Sequence, residues 1–195
     1  MKSVHILAAT ISLMMASPAS AALLGKEFTA DYYVPNAATP YDQGSFTPSP
    51  FVVGAGVETV GNIENVTFLS TNFGDQNLRI DFSTLLNSPR LNDATFSGPI
   101  FTSTTLLGIT GFTLNASTNL TGFDADRVLI TNYGIGLNLE GLSYVTGSVV
   151  AVDFAFGREA SAIPEPATWA LMIIGFGALG STVRASRRKD RLAKP

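Results

Sequence analysis

The central part of the chain predicts an all-β domain, an antiparallel β-sandwich of jelly-roll type. Three observations lead to this prediction. Apolar and polar residues alternate over several short runs, as they do on strands that bury one face. Gly, Asn, Asp and Pro separate these runs at intervals of about 8–12 residues, which is typical of sandwich strands. No segment repeats at a fixed period, so the pattern favours neither a solenoid nor a propeller.

Alternation is clearest in three runs, which we expect to be strands: Leu78–Phe82, Ile135–Leu139 and Val150–Phe156. Seven shorter runs are further strand candidates: Phe28–Val34, Phe51–Val57, Asn65–Ser70, Ala94–Phe101, Ile109–Asn115, Arg127–Thr131 and Leu142–Thr146. Four prolines between Pro35 and Pro50 indicate a surface loop or an edge segment. Many Phe and no Trp in residues 23–162 predict a core filled by phenylalanine between two sheets.

Residues 1–22 predict a signal peptide, a short apolar helix that precedes the domain. Lys2 begins it, an apolar stretch of about a dozen residues follows, and Ala19 and Ala21 form an A-x-A cleavage site. The stretch is shorter than the roughly 20 residues that a spanning helix needs. We therefore expect signal peptidase to cut after Ala21 or one residue later. The alternative is an apolar first helix of the domain itself.

Residues 163–195 predict a single transmembrane helix followed by a basic end. The 17 uncharged residues from Ala167 to Val183 would span about 25 Å as a helix, slightly less than a ~30 Å hydrocarbon core. Trp169 lies where an interfacial aromatic residue is expected. Basic residues follow the apolar run directly: Arg184, Arg187, Arg188, Lys189, Arg191 and Lys194. The positive-inside rule places this cluster in the cytoplasm and the domain of residues 23–162 on the other side of the membrane.

The same C-terminal residues resemble a known sorting signal. Pro164-Glu165-Pro166, then Trp169-Ala170, an apolar span and an Arg-rich end are similar to the PEP-CTERM signal in its PEPxxWA variant. The resemblance implies recognition by an exosortase, a protease or transpeptidase of the inner membrane. It also implies a Gram-negative host that makes exopolysaccharide or biofilm matrix. The two prolines would keep Glu165 in extended backbone, the form in which proteases bind substrates.

The apolar segment also allows a different reading, a permanent single-pass anchor. Gly175, Gly177 and Gly180 weaken the segment as a helix. Together with the basic stop, they favour temporary retention in the inner membrane before the domain reaches the cell surface or is secreted.

Composition excludes several functions for the domain. Residues 23–162 carry 13 acidic and 5 basic side chains, a formal charge of about −8, so nucleic acid is not an expected partner. The chain has no Cys, and its one His, His5, lies in the predicted signal peptide. Ser-His-Asp and Cys-His catalysis and His-ligated zinc are therefore excluded for the mature domain.

Carboxylates and tyrosines are the remaining candidates for a site. Asp124 and Asp126 precede a strand and could bind Ca²⁺; a solvated turn with Asp126 beside Arg127 is the alternative. A glycosidase would need two carboxylates flanking a cleft. Sugar binding would use exposed aromatic rings, and five tyrosines are available: Tyr32, Tyr33, Tyr41, Tyr133 and Tyr144. For Tyr32 and Tyr33, neighbours on one strand, we expect one ring in the core and the other at the surface.

These observations predict a non-enzymatic exported protein that an exosortase sorts to the cell surface or the exopolysaccharide matrix. A carbohydrate-binding module or a carboxylate-based glycosidase of the cell envelope is the second hypothesis. Permanent anchoring is the third.

Overall fold

The computed structural model describes residues 22–157 and 172–176. Ser20–Gly157 forms a compact unit of its own. The predicted signal peptide with Ala19 and Ala21, the residues of the sorting motif and the basic cluster lie outside the described residues.

The compact unit is built from short strands and one turn of 3₁₀ helix, Ala125–Arg127. The strands are β1 Glu27–Tyr33, β2 Gly44–Thr47, β3 Phe51–Val52, β4 Thr59–Ile63, β5 Thr67–Phe73, β6 Asn77–Thr84, β7 Gly98–Ser103, β8 Ile109–Leu114, β9 Val128–Ile130, β10 Gly134–Leu137 and β11 Val149–Phe156. The burial pattern alternates along β1, β5 and β6, because successive side chains on a strand point to opposite faces.

These strands form two sheets in which every pairing is antiparallel. The first sheet has the order β3-β1-β7-β10-β9, and the second has the order β2-β4-β5-β6-β11-β8. The predicted antiparallel β architecture is therefore confirmed. Jelly-roll connectivity stays a prediction.

Phenylalanine rings fill the space between the two sheets, as the composition predicted. Phe73 of β5 lies 5.0 Å from Phe28 of β1 and 5.2 Å from Phe101 of β7, measured between ring centroids. All three side chains are almost fully buried. Because β5 belongs to one sheet and β1 and β7 to the other, these contacts join the two sheets across one core.

Two strand predictions need correction. The run Phe51–Val57 is a strand only at Phe51–Val52, since the chain then leaves the sheet through Gly56 at a positive φ of 92°. Leu142–Thr146 is a turn segment bounded by Gly141 and Gly147, both at positive φ, and only Ser143 makes an isolated bridge.

Strands β2 and β4 were not among the predicted runs. β2 lies inside the proline-rich stretch and is an edge strand, which agrees with the second of the two readings of that stretch. β4 contains Gly61, whose missing side chain concealed the alternation. A Cβ there would come within 2.7 Å of the Phe46 ring, which covers the glycine.

Residues 172–176 are helical and exposed. Within residues 22–157 and 172–176, no helix combines the length and apolar character needed to cross a membrane. The predicted span from Ala167 to Val183 is otherwise outside the described residues.

Candidate functional site

Three of the five tyrosines meet at one end of the sandwich, around a cleft of about 90 Å³. Tyr32 lies on β1, Tyr41 precedes β2, and Tyr144 lies in the turn before β11. Residues from the connection between β6 and β7 cover the cleft, among them Leu86, Pro89 and Arg90. The cleft is thus formed by distant parts of the chain that only the fold brings together.

Tyr32 forms the floor of the cleft. Its ring is 2% exposed, and its hydroxyl shares a 3.2 Å hydrogen bond with Ser97 Oγ. Burial raises the pKa of Tyr32 well above its ordinary value, because the phenolate would lose its hydration. Tyr33, its neighbour, is half-buried on the opposite face of the strand, as expected from the alternation of side chains.

Tyr41 stands at the rim and donates its hydroxyl hydrogen to Glu64. That bond raises the pKa of Tyr41 to about 12, because phenolate formation would set two negative charges side by side. Glu64 and Asn65 have positive φ values of 55° and 57° in the tight turn between β4 and β5. Asn62 accepts the backbone N–H of Asn65 at 3.0 Å and so fixes this turn.

Tyr144 lines the side of the cleft formed by the turn before β11. Its hydroxyl shares a 2.6 Å hydrogen bond with Thr67 Oγ1 of β5, and its ring lies 5.5 Å from that of Phe82. Burial raises the pKa of Tyr144, although its hydrogen bonds to Thr67 and Thr84 oppose the shift. The side chain therefore works as a neutral hydroxyl that ties the β11 turn to the second sheet.

The contents of the cleft limit its chemistry. Glu64 is the one carboxylate among the described lining residues, and Arg90 is the one cation. A glycosidase needs two carboxylates on either side of a bond, so this lining does not supply the pair.

A second, larger groove adjoins the cleft and shares Tyr144 with it. Its volume is about 330 Å³, at the lower end of the roughly 300–1,000 Å³ of ligand sites. Its lining is uncharged: Ser88, Asn119, Thr121, Ser143, Tyr144, Val145, Thr146, Gly147 and Ser148. Asn119 is committed to the fold, since it donates to Gly147 O at 3.1 Å and accepts from Val149 N–H at 2.6 Å.

Asp124 and Asp126 lie in an exposed turn and line neither the cleft nor the groove. Asp124 caps the 3₁₀ turn, with its Oδ1 accepting the backbone N–H of Asp126 at 3.1 Å. Arg127 turns to Glu140 instead of Asp126, with 3.6 Å between the charged groups and a 2.9 Å bond to the Glu140 carbonyl. Among the described residues, no three acidic or His side chains gather as a metal site would require. Calcium binding by the Asp pair stays a prediction.

Sequence reasoning found the tyrosines but missed their partners. Thr67 and Ser97 are single polar residues in different parts of the chain, and no local pattern marks them. Glu64-Asn65 was the one available signal, because a polar pair between two apolar runs is typical of a tight turn. Tyr133, the remaining candidate, is 48% exposed and does not line either space.

Comparison with known protein families gives one match. Residues 162–189 match the family described as the PEP-CTERM protein-sorting motif. The predicted motif residues Pro164, Glu165, Pro166, Trp169 and Ala170 fall inside the matched range. Such a motif implies export, a transient stay in the membrane and an exosortase as the processing partner. No curated protein and no solved structure matches the chain.

Proposed function

We propose that this chain is a non-enzymatic exported protein that an exosortase releases from the inner membrane to the cell surface or the exopolysaccharide matrix. The observation that carries the proposal is the sorting motif at residues 162–189, which begins just after the last strand of a compact domain ends at Phe156. A folded domain followed by a separate sorting motif is the arrangement expected of an exported domain that is delivered by a C-terminal signal.

The roles of the tail residues follow from the chemistry of peptide cleavage at a membrane surface. Pro164 and Pro166 hold Glu165 in an extended form that a protease can bind. The apolar run after Ala167 retains the chain in the bilayer while processing takes place. The arginines after Val183 hold that end in the cytoplasm, so the motif faces the extracytoplasmic side.

The composition of the domain supports a non-catalytic role. Its residues from 23 to 162 contain neither His nor Cys, which removes the usual nucleophile and base pairs. The cleft lining offers one carboxylate, whose oxygen is already bonded to Tyr41. A formal charge of about −8 over residues 23–162 would keep a domain soluble in a hydrated matrix.

Processing can be tested with an epitope placed after Arg184 in the full chain. In cells that contain the exosortase, we expect the epitope to be lost from the secreted form, and Glu165→Ala to retain it in the membrane fraction. Glu159→Ala removes an acidic side chain just outside the matched motif and serves as the control. An epitope retained in every case would instead support the permanent anchor.

Carbohydrate binding is a second candidate, favoured by the uncharged, hydroxyl-rich groove beside Tyr144. Such a lining suits a neutral sugar, whose hydroxyls exchange hydrogen bonds with Ser, Thr and backbone groups. We expect Thr121→Arg, which places a bulky charge in the groove, to abolish retention on a neutral polysaccharide column. Thr104→Arg, at an exposed position outside the groove lining, is the control. Equal elution of both variants and the unmodified chain would remove this candidate.

A further inference from the structure

Strand β8 is an open edge of the second sheet. It pairs with β11 on one side, and within the described residues no strand covers its other side. Asn115 N–H bonds to Ala151 O, so by the alternation of an antiparallel ladder Thr113 also points its backbone groups at β11. The N–H and C=O groups of Phe112 and Leu114 then point outward, away from the sheet.

This edge lacks the devices that usually protect sheet edges, which are short length, charge and proline. At six residues β8 is longer than the edge strands β2, β3 and β9, which have four, two and three. Its sequence contains neither charge nor proline. A bulge opposite Ala155 and Phe156 bends only its beginning and leaves Gly111–Leu114 in regular register.

An apolar groove of about 200 Å³ runs between β8 and β9, lined by Ile109, Thr110, Gly111, Phe112 and Ile130. The apolar side chains among these are only partly buried, although they pack against the core. A strand added beside β8 would cover this groove and bury them. The open edge and the apolar groove therefore form one surface, which we call the β8 edge.

The absence of charge around the β8 edge indicates which partner it can bind. The 30 residues from Ala94 to Phe123 carry no charged side chain, whereas the domain as a whole is strongly acidic. A charged strand added at this edge would lose hydration against the apolar groove with no opposite charge to pair with, and two acidic copies repel least where neither carries charge. A second copy of this chain can approach through the β8 edge with no charge on either strand.

The nearest carboxylate does not prevent this approach. Asp153 on β11 accepts a 2.8 Å hydrogen bond from Asn115 Nδ2. In a sheet continued through two β8 strands, the two Asp153 side chains would be separated by three strand spacings, about 14 Å. That exceeds the ~8 Å Debye length at physiological salt, so their repulsion is largely screened.

We propose that two copies of this chain associate by antiparallel pairing of their β8 strands about a two-fold axis at Thr113. This register joins the outward groups of Phe112 to those of Leu114 of the second copy. It places the two Thr113 side chains opposite each other, in a non-hydrogen-bonded pair with Cα atoms about 4.5 Å apart. Thr113 is exposed on each copy.

Cysteine cross-linking in the full chain tests the register, because the natural chain has no Cys. Thr113→Cys should give a disulfide-linked dimer on non-reducing gels after oxidation with diamide, since the Cα separation falls in the disulfide range. Thr102→Cys is the control: it is equally exposed, but β7 is paired on both sides. Absence of the Thr113→Cys dimer, or an equal yield from Thr102→Cys, would overturn the proposal.

The mass of the full chain in non-ionic detergent, measured by light scattering, tests the association without a covalent bond. We expect dimers for the natural chain and for Thr113→Val, and monomers for Thr113→Lys, which brings two ammonium groups together at the axis. Circular dichroism checks that the exposed substitutions leave the fold intact. A monomeric natural chain, or a dimer that survives Thr113→Lys through the apolar residues 167–183, would refute pairing at β8.

Discussion

The two flanks of the sandwich, where the sheets come to an end, are built in different ways. On one flank, Pro48, Ser49 and Pro50 join β2 to β3, and the rings of Phe46 and Phe51 reach across the gap to the opposite sheet. On the other flank, β8 and β9 leave an apolar groove between them, and no proline occurs between Pro99 and Pro164. We call these the closed flank and the open flank.

The difference shows how outward backbone groups at the side of a sheet can be satisfied without a strand from another molecule. On the closed flank Ser49 uses its hydroxyl in place of a neighbouring strand: Oγ accepts the N–H of Ala30 at 3.0 Å and donates to the Ala30 carbonyl at 3.2 Å. The outward backbone groups of Ala30, beyond the two residues of β1 that pair with β3, are thereby satisfied without a neighbouring strand. Nothing comparable covers Phe112 and Leu114 within the described residues, so the open flank is the one suited to association.

The largest difference between the flanks should appear when one phenylalanine is removed from each. Phe51 is 6% exposed, stacks with Phe28 and lies 5.8 Å from the tilted ring of Phe73, so Phe51→Ala should lower the free energy of unfolding by about 3–5 kcal/mol. Phe112 is only half-buried, and Phe112→Ala should cost roughly half as much. Urea denaturation measures both, and equal losses would show that the open flank is packed as tightly as the closed one.

The hydroxyl of Ser49 should have the next largest effect. Ser49→Ala leaves the N–H and C=O of the buried Ala30 without partners and should cost about 1–2 kcal/mol by urea denaturation. Ser45→Ala is the matched control on β2, where the side chain is exposed, and should change stability by less than about 0.5 kcal/mol. A null effect at Ser49 would mean that water replaces the hydroxyl at this edge.

Alkaline pH should weaken the bond between Tyr41 and Glu64, which joins the segment before β2, the edge strand of the closed flank, to the turn between β4 and β5. An unfolded tyrosine titrates near pH 10, while folded Tyr41 keeps its proton until about pH 12. The unfolded chain therefore loses protons first, and the free energy of unfolding should fall as pH rises from about 10 toward 12.

Tyr41→Phe should make that decline shallower, although Tyr32 and Tyr144 contribute to it as well, since burial raises both of their pKa values. Thermal unfolding at several alkaline pH values compares the two chains. Identical slopes for the natural chain and Tyr41→Phe would argue against the bond to Glu64.

Salt should have the smallest effect, at the open flank. Because no charged residue lies between Ala94 and Phe123, the dissociation constant of the proposed dimer should change by less than about twofold between low and physiological ionic strength. Analytical ultracentrifugation in detergent measures it. A steep salt dependence would place the contact on the acidic surface instead.

Much of the fold was predictable because alternation is a local signal. Leu78–Phe82 and Val150–Phe156 lie within β6 and β11, and Phe28 and Tyr32 face the core where the period of two places them. Alternation did not predict the strands at positions where the backbone, and not a side chain, packs against a distant segment. At Gly98 a Cβ would lie 1.9 Å from Leu137 O. Glycine is therefore required there by the close approach of a distant segment, and the residues next to it in sequence do not indicate this.

The candidate site was predictable only in part, for the same reason. The sequence offered tyrosine as the aromatic residue available to a site in a domain without Trp, and three of the five tyrosines line the cleft. The grouping of Tyr32, Tyr41 and Tyr144 depends on how β1, β2 and the turn before β11 meet, which is a property of strand order. The ion pair of Arg127 was unpredictable for the same reason. Its partner is Glu140, 13 residues further along the chain, and not the neighbouring Asp126.

The position of β11 has a consequence for the timing of export. Among the described strands this one is the last in sequence, yet it lies inside its sheet, between β6 and β8. Until residue 156 has left the export channel, β8 has no partner in the sheet and β6 is paired only with β5. A chain halted in the bilayer by its final residues would gain time for that last insertion, so that maturation precedes release.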